Sequence, residues 1–287
     1  MMRINAKTKI NMIIGDPVDH SLSPEIHNAA YKALGIDDQY VFLATNVKKT
    51  DIKKAVEAMR AMGIRGLTCT MPHKLVVMKY LDKIDSAAKD MTAVNTVVND
   101  NGKLIGYNTD WLGVTISLKK VEKNIKNKKA IVFGAGGVAR SIVYGLLKND
   151  VKVLIANRTL SKAKKIVHDM NSVFKNNVSI DCVDLNKVNN LDDFDFIFNA
   201  TSVGMIKSQS IISKQLIKPK HIVFDAVYFP LETKLITDAK EQGAKIIHGS
   251  ELLLNQALYQ FELYTNRKAP ESAMRKILNK HLVRNYS

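Results

Sequence analysis

The sequence predicts an α/β chain of two domains, each an open, mostly parallel sheet flanked by helices. Three observations carry this. Short apolar, β-prone runs alternate with amphipathic helical patterns from end to end, the order that builds strand–helix–strand units. The 287 residues match about two domains. A polar, lysine-rich run at 123–129 interrupts the alternation, and a fresh strand–turn–helix unit starts directly after it.

The strands expected from apolar, β-branched or aromatic runs are 10–14, 40–44, 66–70, 130–133, 151–156, 196–198, 221–225 and 245–247. Helical periodicity marks 24–34, 50–62, 137–147, 160–170 and 233–242 between them. One hairpin interrupts the alternation. Its arms are 95–99 and 103–107, joined through Asp100-Asn101-Gly102, and Asn-Gly is a strong tight-turn signal. The domain boundary is drawn in a further helix, 111–121, and two last helices, 250–265 and 270–282, follow the final strand. Residues 1–110, completed by 246–287, then form one domain, and 111–245 the other.

Composition narrows the class. Hydrophobic residues are 46% and charged residues 24%, as in ordinary globular proteins. No run approaches the roughly 20 apolar residues of a bilayer span, and the opening residues lack the apolar core of a secretion signal. A cytoplasmic protein without membrane contact is the default. Cys69 and Cys182 are far apart and fit no metal spacing, so no metal site is expected. The formal charge of +16 could attract nucleic acid, or steer a phosphorylated cofactor and a carboxylate substrate. Lysines such as Lys162, Lys164 and Lys165 lie scattered along helical faces. No nucleic-acid-binding motif is present, and nucleic acid is not an expected partner.

The first chemical motif follows strand 130–133. Gly134-Ala135-Gly136-Gly137-Val138-Ala139 is a G-x-G-x-x-A fingerprint between a strand and a helix. Gly134 suits the tight turn, Gly136 lets a pyrophosphate approach the backbone, and Ala139 lets helix and strand pack. The helix N-terminus offers N–H groups to the phosphates. A Rossmann-like dinucleotide-binding domain at 111–245 follows. At the end of the next strand an NAD enzyme usually carries a carboxylate for the ribose 2′-hydroxyl. Here Asn157-Arg158-Thr159 stand there, with Lys162 one turn later. A guanidinium pairs with a 2′-phosphate, so NADP is expected over NAD.

The amino-terminal half is rich in hydroxyls and amides. Ser21 and Ser23 precede Pro24 at a helix start, where Ser23 taken alone reads as an N-cap. Strand 66–70 delivers Thr70 and then Lys74, at the end where open α/β sheets place ligands. Asn95 supplies an amide and Asp110 a carboxylate. The set suits a neutral polyol bearing a carboxylate. His20 and His27 read as hydrogen-bonded structural residues, His73 and His248 have no partner that the sequence names, and Leu252-Leu253-Leu254 reads as helix core.

Taken together, these motifs resemble the shikimate dehydrogenase family, including its quinate/shikimate branch. The resemblance covers nearly the whole chain: H-S-x-S-P at 20–24, T-x-P-x-K at 70–74, V-N-T at 94–96, N-T-D at 108–110, G-A-G-G at 134–137, N-R-T at 157–159, N-A-T-S-V-G-M at 199–205, then Tyr228, Pro230 and Gln256. It implies that Ser21 and Ser23 bind a substrate carboxylate, that Thr70, Asn95 and Gln256 hold ring hydroxyls, and that Lys74 and Asp110 are the catalytic pair. Tyr228 joins the substrate residues. Ala135, Gly137, Val138, Ala226 and Gly249 join the cofactor residues. The implied activity is NADP-linked interconversion of 3-dehydroshikimate and shikimate, in a cleft between the domains. A homodimer is compatible with it.

Three alternatives stand beside this reading: a quinate/shikimate enzyme using NAD or both cofactors, an NADP-sensing protein without turnover, and a basic nucleic-acid-binding protein. Some positions depart from the family pattern. Thr68 and Cys69 replace the usual Asn-Val before Thr70, Thr92 stands where glycine is common, Trp111 follows Asp110, and Tyr107 looks like the quinate/shikimate branch.

Overall fold

A computed structural model describes residues 3–284. It divides into two compact units, 3–109 with 256–284, and Asp110–Asn255.

The first unit opens with β1 (Lys9–Gly15), α1 (Ser23–Ala33), β2 (Tyr40–Asn46), α2 (Ile52–Ala61) and β3 (Gly66–Cys69). It continues with β4 (Lys83–Ile84), α3 (Ser86–Met91), β5 (Thr96–Asp100) and β6 (Lys103–Tyr107). The six strands form one sheet in the order β2-β1-β3-β5-β6-β4. β1 pairs in parallel with β2 and β3, whereas β5 runs antiparallel to both β3 and β6. The reversal is local in origin. Asn101 and Gly102 take φ of 51° and 89°, the pair of left-handed residues that a two-residue hairpin needs. One face of the sheet meets an apolar cluster of Leu67, Cys69, Val97 and Leu104 with Ile52, Val56 and Met59 of α2.

The second unit contains α4 (Asp110–Val121), β7 (Lys129–Phe133), α5 (Gly137–Leu147), β8 (Lys152–Asn157), α6 (Leu160–Val173) and β9 (Ile180–Asp184). β10 (Phe196–Asn199), β11 (Ile222–Asp225), α7 (Lys234–Glu241) and β12 (Lys245–Ile247) follow. Every pair in its sheet is parallel, in the order β12-β11-β10-β7-β8-β9. The winding direction reverses between β7 and β10, which is where such sheets bind ligands. Ile131, Phe133, Ile197 and Val223 form a core with Leu235 and Ala239 of α7.

The chain then forms α8 (Gly249–Thr265) and α9 (Glu271–Arg284), and it rejoins the first unit at Gln256. The sequence placed that return at 246. The difference arises because β12 is a sheet strand of the second unit, bonded along its length to β11. The other limit falls just ahead of α4 and not within it. α4 goes with the second unit by packing on α5, where Trp111 meets Tyr144 edge-on at 5.5 Å. In the first unit α9 packs on α1. The second face of that sheet carries an aromatic cluster of His27, Tyr31, Phe42, Phe261 and Tyr264.

Candidate active site

In the first unit the candidate residues sit on loops that follow β1 and β3 and are bonded to one another. Asp16 N donates to Met71 O at 3.0 Å, and Thr70 N to Ile14 O at 3.0 Å. Ser21 is half-buried and Ser23 is buried. Ser23 is not an N-cap: Leu22 holds that position and Ser23 is the first residue of α1. The two serines are held together by Ser23 N, which donates to Ser21 Oγ at 3.3 Å.

Thr70 lies one residue past β3, and its carbonyl accepts from His73 N at 2.8 Å. The buried His73 has a partner after all, since its Nε2 lies 2.7 Å from Val47 O. A carbonyl can only accept, so Nε2 carries the proton. Burial lowers this imidazole from its ordinary value. Lys74 is half-buried, and its carbonyl accepts from Val94 N at 2.8 Å, which brings the lysine turn beside Asn95. Burial pushes the neighbouring Cys69 thiol up to about 12, against the opposing pull of the Lys74 ammonium.

Asn95 is buried in a net of its own. Its Oδ1 accepts from Thr109 N at 2.9 Å and from Thr96 Oγ1 at 2.7 Å. Its Nδ2 donates to Thr109 Oγ1 at 3.0 Å and to Gln256 Oε1 at 3.5 Å. Asn95 and Gln256, read from motifs far apart in the chain, therefore meet directly. Thr68, the departure from the family pattern, bonds to Tyr264 Oη at 2.8 Å. His27 is fully buried, and its ring stacks on Phe42 at 4.3 Å.

The second unit places Asp110, 4% exposed, at the first residue of α4. The glycine turn joins β7 to α5 at the point where the winding reverses. Gly134 takes φ +114°, and a side chain there would meet Ala200 O at 3.0 Å. Gly136 is the N-cap of α5 and lacks a side chain to cap it, while a Cβ at that position would face open space. Ala135, Gly137 and Val138 are half-buried around it. At the end of β8, Asn157 Nδ2 donates to Thr159 O at 2.8 Å, while Arg158, Thr159 and Lys162 are exposed. The residue before them, Ala156, is followed by no carboxylate until Asp169.

Ala226 and Tyr228 follow β11, and Gly249 is buried at the start of α8. Burial pushes the Tyr228 phenol up to about 12, so it stays protonated at neutral pH. His248 has a partner too, Glu232 Oε1 at 3.0 Å.

Sequence reasoning missed the residue that organises these loops. Asp225 is fully buried and accepts from Asn199 Nδ2 at 2.9 Å, Val227 N at 3.0 Å and Thr233 Oγ1 at 2.6 Å. Asn199 in turn binds Thr201 through its Oδ1. Burial pushes Asp225 up to about 6, against those three hydrogen bonds. The available signal was an Asp at the end of the apolar run Ile222–Asp225.

Comparison with known proteins covers both units. Residues 13–97 match the family described as Shikimate dehydrogenase substrate binding domain, 116–226 match Shikimate / quinate 5-dehydrogenase, and 249–278 match Shikimate 5'-dehydrogenase C-terminal domain. The curated Shikimate dehydrogenase (NADP(+)) of Nitrosopumilus maritimus is 42% identical over 93% of this chain and 96% of its own. The chain belongs to the shikimate dehydrogenase family. Solved members of the family have the same fold. A shikimate dehydrogenase in complex with NADP+ superposes with a TM-score of 0.91 at 36% identity, over 97% of both chains. The shikimate 5-dehydrogenase of Listeria monocytogenes, in complex with shikimate and NAD, gives 0.88 at 36% identity, over 97% of this chain and 99% of that one. Among the described residues no group of three or more His, Cys, Asp or Glu could hold a metal ion, and no helix is long and apolar enough to cross a membrane.

Proposed function

We propose that this chain is an NADP-dependent shikimate dehydrogenase, an oxidoreductase that interconverts shikimate and 3-dehydroshikimate. The observation that carries the reading is the match to curated NADP(+) enzymes along more than nine-tenths of both chains. The residues of the second unit fit the cofactor. The outer side of Gly136 has room for a pyrophosphate, the first turn of α5 has no side-chain cap, and Arg158 and Lys162 offer cations where a carboxylate would repel a 2′-phosphate. NADP, when bound, supplies the hydride acceptor, and in its reduced form the hydride donor.

The chain's own residues have separate tasks in this proposal. Gly134 to Val138 hold the pyrophosphate. Asn157, Arg158, Thr159 and Lys162 hold the adenosine end. Ala226 and Gly249 lie along the cofactor. Ser21 and Ser23 bind the substrate carboxylate through their hydroxyls. Thr70, Asn95, Gln256 and Tyr228 fix the ring by its oxygens, so that one carbinol is presented to chemistry. Oxidising that carbinol removes a hydride from carbon and a proton from oxygen. Lys74 takes the proton at Nζ, and in the reverse direction its ammonium returns it to the new alkoxide. Asp110 is the second member of the catalytic pair. Residues up to 110, with the C-terminal helices, act as the substrate domain and the middle of the chain as the NADP domain.

The experiment follows absorbance at the reduced-nicotinamide band with shikimate or quinate, each against NADP and NAD. Shikimate with NADP is expected to give the highest kcat/KM of the four. No turnover of shikimate with either cofactor overturns the proposal, and faster turnover of quinate moves the chain to the other branch of the family.

A further inference from the structure

We propose that Asn199, fixed by Asp225, is a positioning residue for NADP: it winds the segment after β10 into a brace for the glycine turn. The inference rests on the reading of Gly134 to Val138 as the pyrophosphate-binding residues. Asn199 and Asp225 end β10 and β11 and stand side by side in the sheet, with Phe133 of β7 on the other flank of Asn199. Both polar residues are 0% exposed, so they act through the segments they hold.

The Asn199 amide is wired in one orientation. Its Oδ1 accepts from Thr201 N at 3.1 Å and from Thr201 Oγ1 at 2.6 Å. Its Nδ2 donates to Val203 O at 3.1 Å and to Asp225 Oδ1 at 2.9 Å. A backbone N–H can only donate and a carbonyl can only accept, so a flipped amide would lose both backbone bonds. Thr201 Oγ1, having given its proton to Asn199, accepts from Val203 N at 3.1 Å. Residues 199–203 are thus wound round one buried side chain. Asp225 anchors that side chain. Its Oδ1 also accepts from Val227 N at 3.0 Å, and its Oδ2 accepts from the hydroxyl of Thr233, the N-cap of α7, at 2.6 Å.

The wound segment lies directly on the glycine turn. Ala200 N donates at 2.8 Å to the carbonyl of Phe133, the residue before Gly134. Ala200 O lies 3.0 Å, and Thr201 Cγ2 3.1 Å, from the point where a Gly134 Cβ would stand. Glycine at φ +114° has no side chain to restrict it, so the shape of the turn depends on what packs against it. The corresponding point at Gly136 faces open space. The turn is therefore braced at Gly134 and open at Gly136, where a pyrophosphate has room. Without the brace NADP must order the turn as it binds, and that ordering is taken from its affinity.

Titration of the full chain with NADPH, followed by nucleotide fluorescence, tests this. The shikimate KM at saturating NADP and the melting temperature are measured alongside. Asn199→Leu keeps the branched shape and removes the hydrogen bonds of the amide. It is expected to raise the NADPH Kd about 10-fold or more while the shikimate KM stays within about twofold. Asp225→Asn keeps an Oδ1 that accepts from Asn199 and Val227 and turns its N–H₂ to the Thr233 hydroxyl, which can accept. It is expected to hold the NADPH Kd within about threefold of the original chain. A folded Asn199→Leu with an unchanged NADPH Kd overturns the inference. So does an equal rise in NADPH Kd and shikimate KM, or an Asp225→Asn variant as impaired as Asn199→Leu. If Asn199→Leu does not fold, Asn199→Ala, which leaves room for a water, decides, and an unchanged NADPH Kd there overturns the inference. An original chain that binds no NADPH overturns the proposed function instead, and this inference with it.

Discussion

His27 makes the first unit sensitive to acid, and the effect can be isolated with one substitution. The imidazole is fully buried and stacks on Phe42 at an interplanar angle of 11°. Burial pushes it from 6.5 down to about 3, and the Gln260 side chain opposes the fall only in part. In the unfolded chain it takes a proton below about 6.5, whereas the folded chain refuses that proton until about 3. Stability is therefore intact above 6.5 and is lost as pH falls through this window. Between pH 7.5 and pH 4.5 the loss from this residue is roughly 2–3 kcal/mol, at about 1.4 kcal/mol per pH unit.

His27→Phe keeps a stacked ring and removes the titration. Calorimetric melting of both chains at the two pH values gives the comparison, since each kcal/mol is worth about 2–4 °C in a domain of this size. The first-unit transition of the original chain is expected to fall by about 5–10 °C more than that of the variant. Tryptophan emission is the wrong probe, because the single tryptophan, Trp111, belongs to the second unit. Asp225 acts with the opposite sign there. Its pKa of about 6 lies above the ordinary 3.8, so its destabilising effect eases as pH falls through that interval. The difference between the two chains, and not either curve alone, therefore carries the result. Parallel pH profiles for the original chain and His27→Phe would refute the reasoning.

Four further outcomes follow from the structure. Lys74→Ala should lower kcat by about 10²–10⁴ with little change in substrate KM, the loss typical of a removed acid–base group, read by steady-state rates. Gly134→Ala forces a side chain into φ +114° against Ala200 O, at a cost of about 1–3 kcal/mol. NADP affinity by nucleotide fluorescence titration and the melting temperature should both drop. Arg158→Asp should shift the NADP-to-NAD ratio of kcat/KM toward NAD by about 10-fold or more, because a carboxylate repels a 2′-phosphate and accepts from a 2′-hydroxyl. With its thiol pushed up to about 12 and fully buried, Cys69 should resist a thiol reagent at pH 8, so that the native chain titrates one thiol, Cys182, and the unfolded chain two.

The parts of the fold legible in the sequence are those whose pattern is local. α5 begins and ends where its periodicity and the glycine turn place it, and β12 coincides with its apolar run. β9 was missed because Ile180–Asp184 alternates with acidic residues, pairs only with β8 and is nowhere fully buried. α3 carries no apolar period in Ser86–Met91, and it is started by Asp85, whose side chain accepts from Ala87 N. The two-residue β4 is too short for any pattern. The site divides in the same way. Ser21, Thr70, Lys74 and Asn95 stand in dense motifs, and strand ends mark them out. The contacts of Thr96 with Gln260 and of Thr68 with Tyr264 span 164 and 196 residues, and no spacing rule reaches that far. Asp225 stayed hidden because a lone carboxylate at a strand end reads as a loop residue until its three donors are seen.

The interrupted order of the first unit bears on how the protein is made. Gln256, Gln260 and Tyr264 leave the ribosome after the whole intervening segment of roughly 150 residues, which takes about 10–30 s at ordinary elongation rates. For that time the early sheet lacks Phe261 and Tyr264 on its aromatic face, and Asn95 lacks Gln256. The newborn chain is thus most exposed to aggregation before α8 arrives, and a ribosome stalled short of residue 256 leaves that face without its cover.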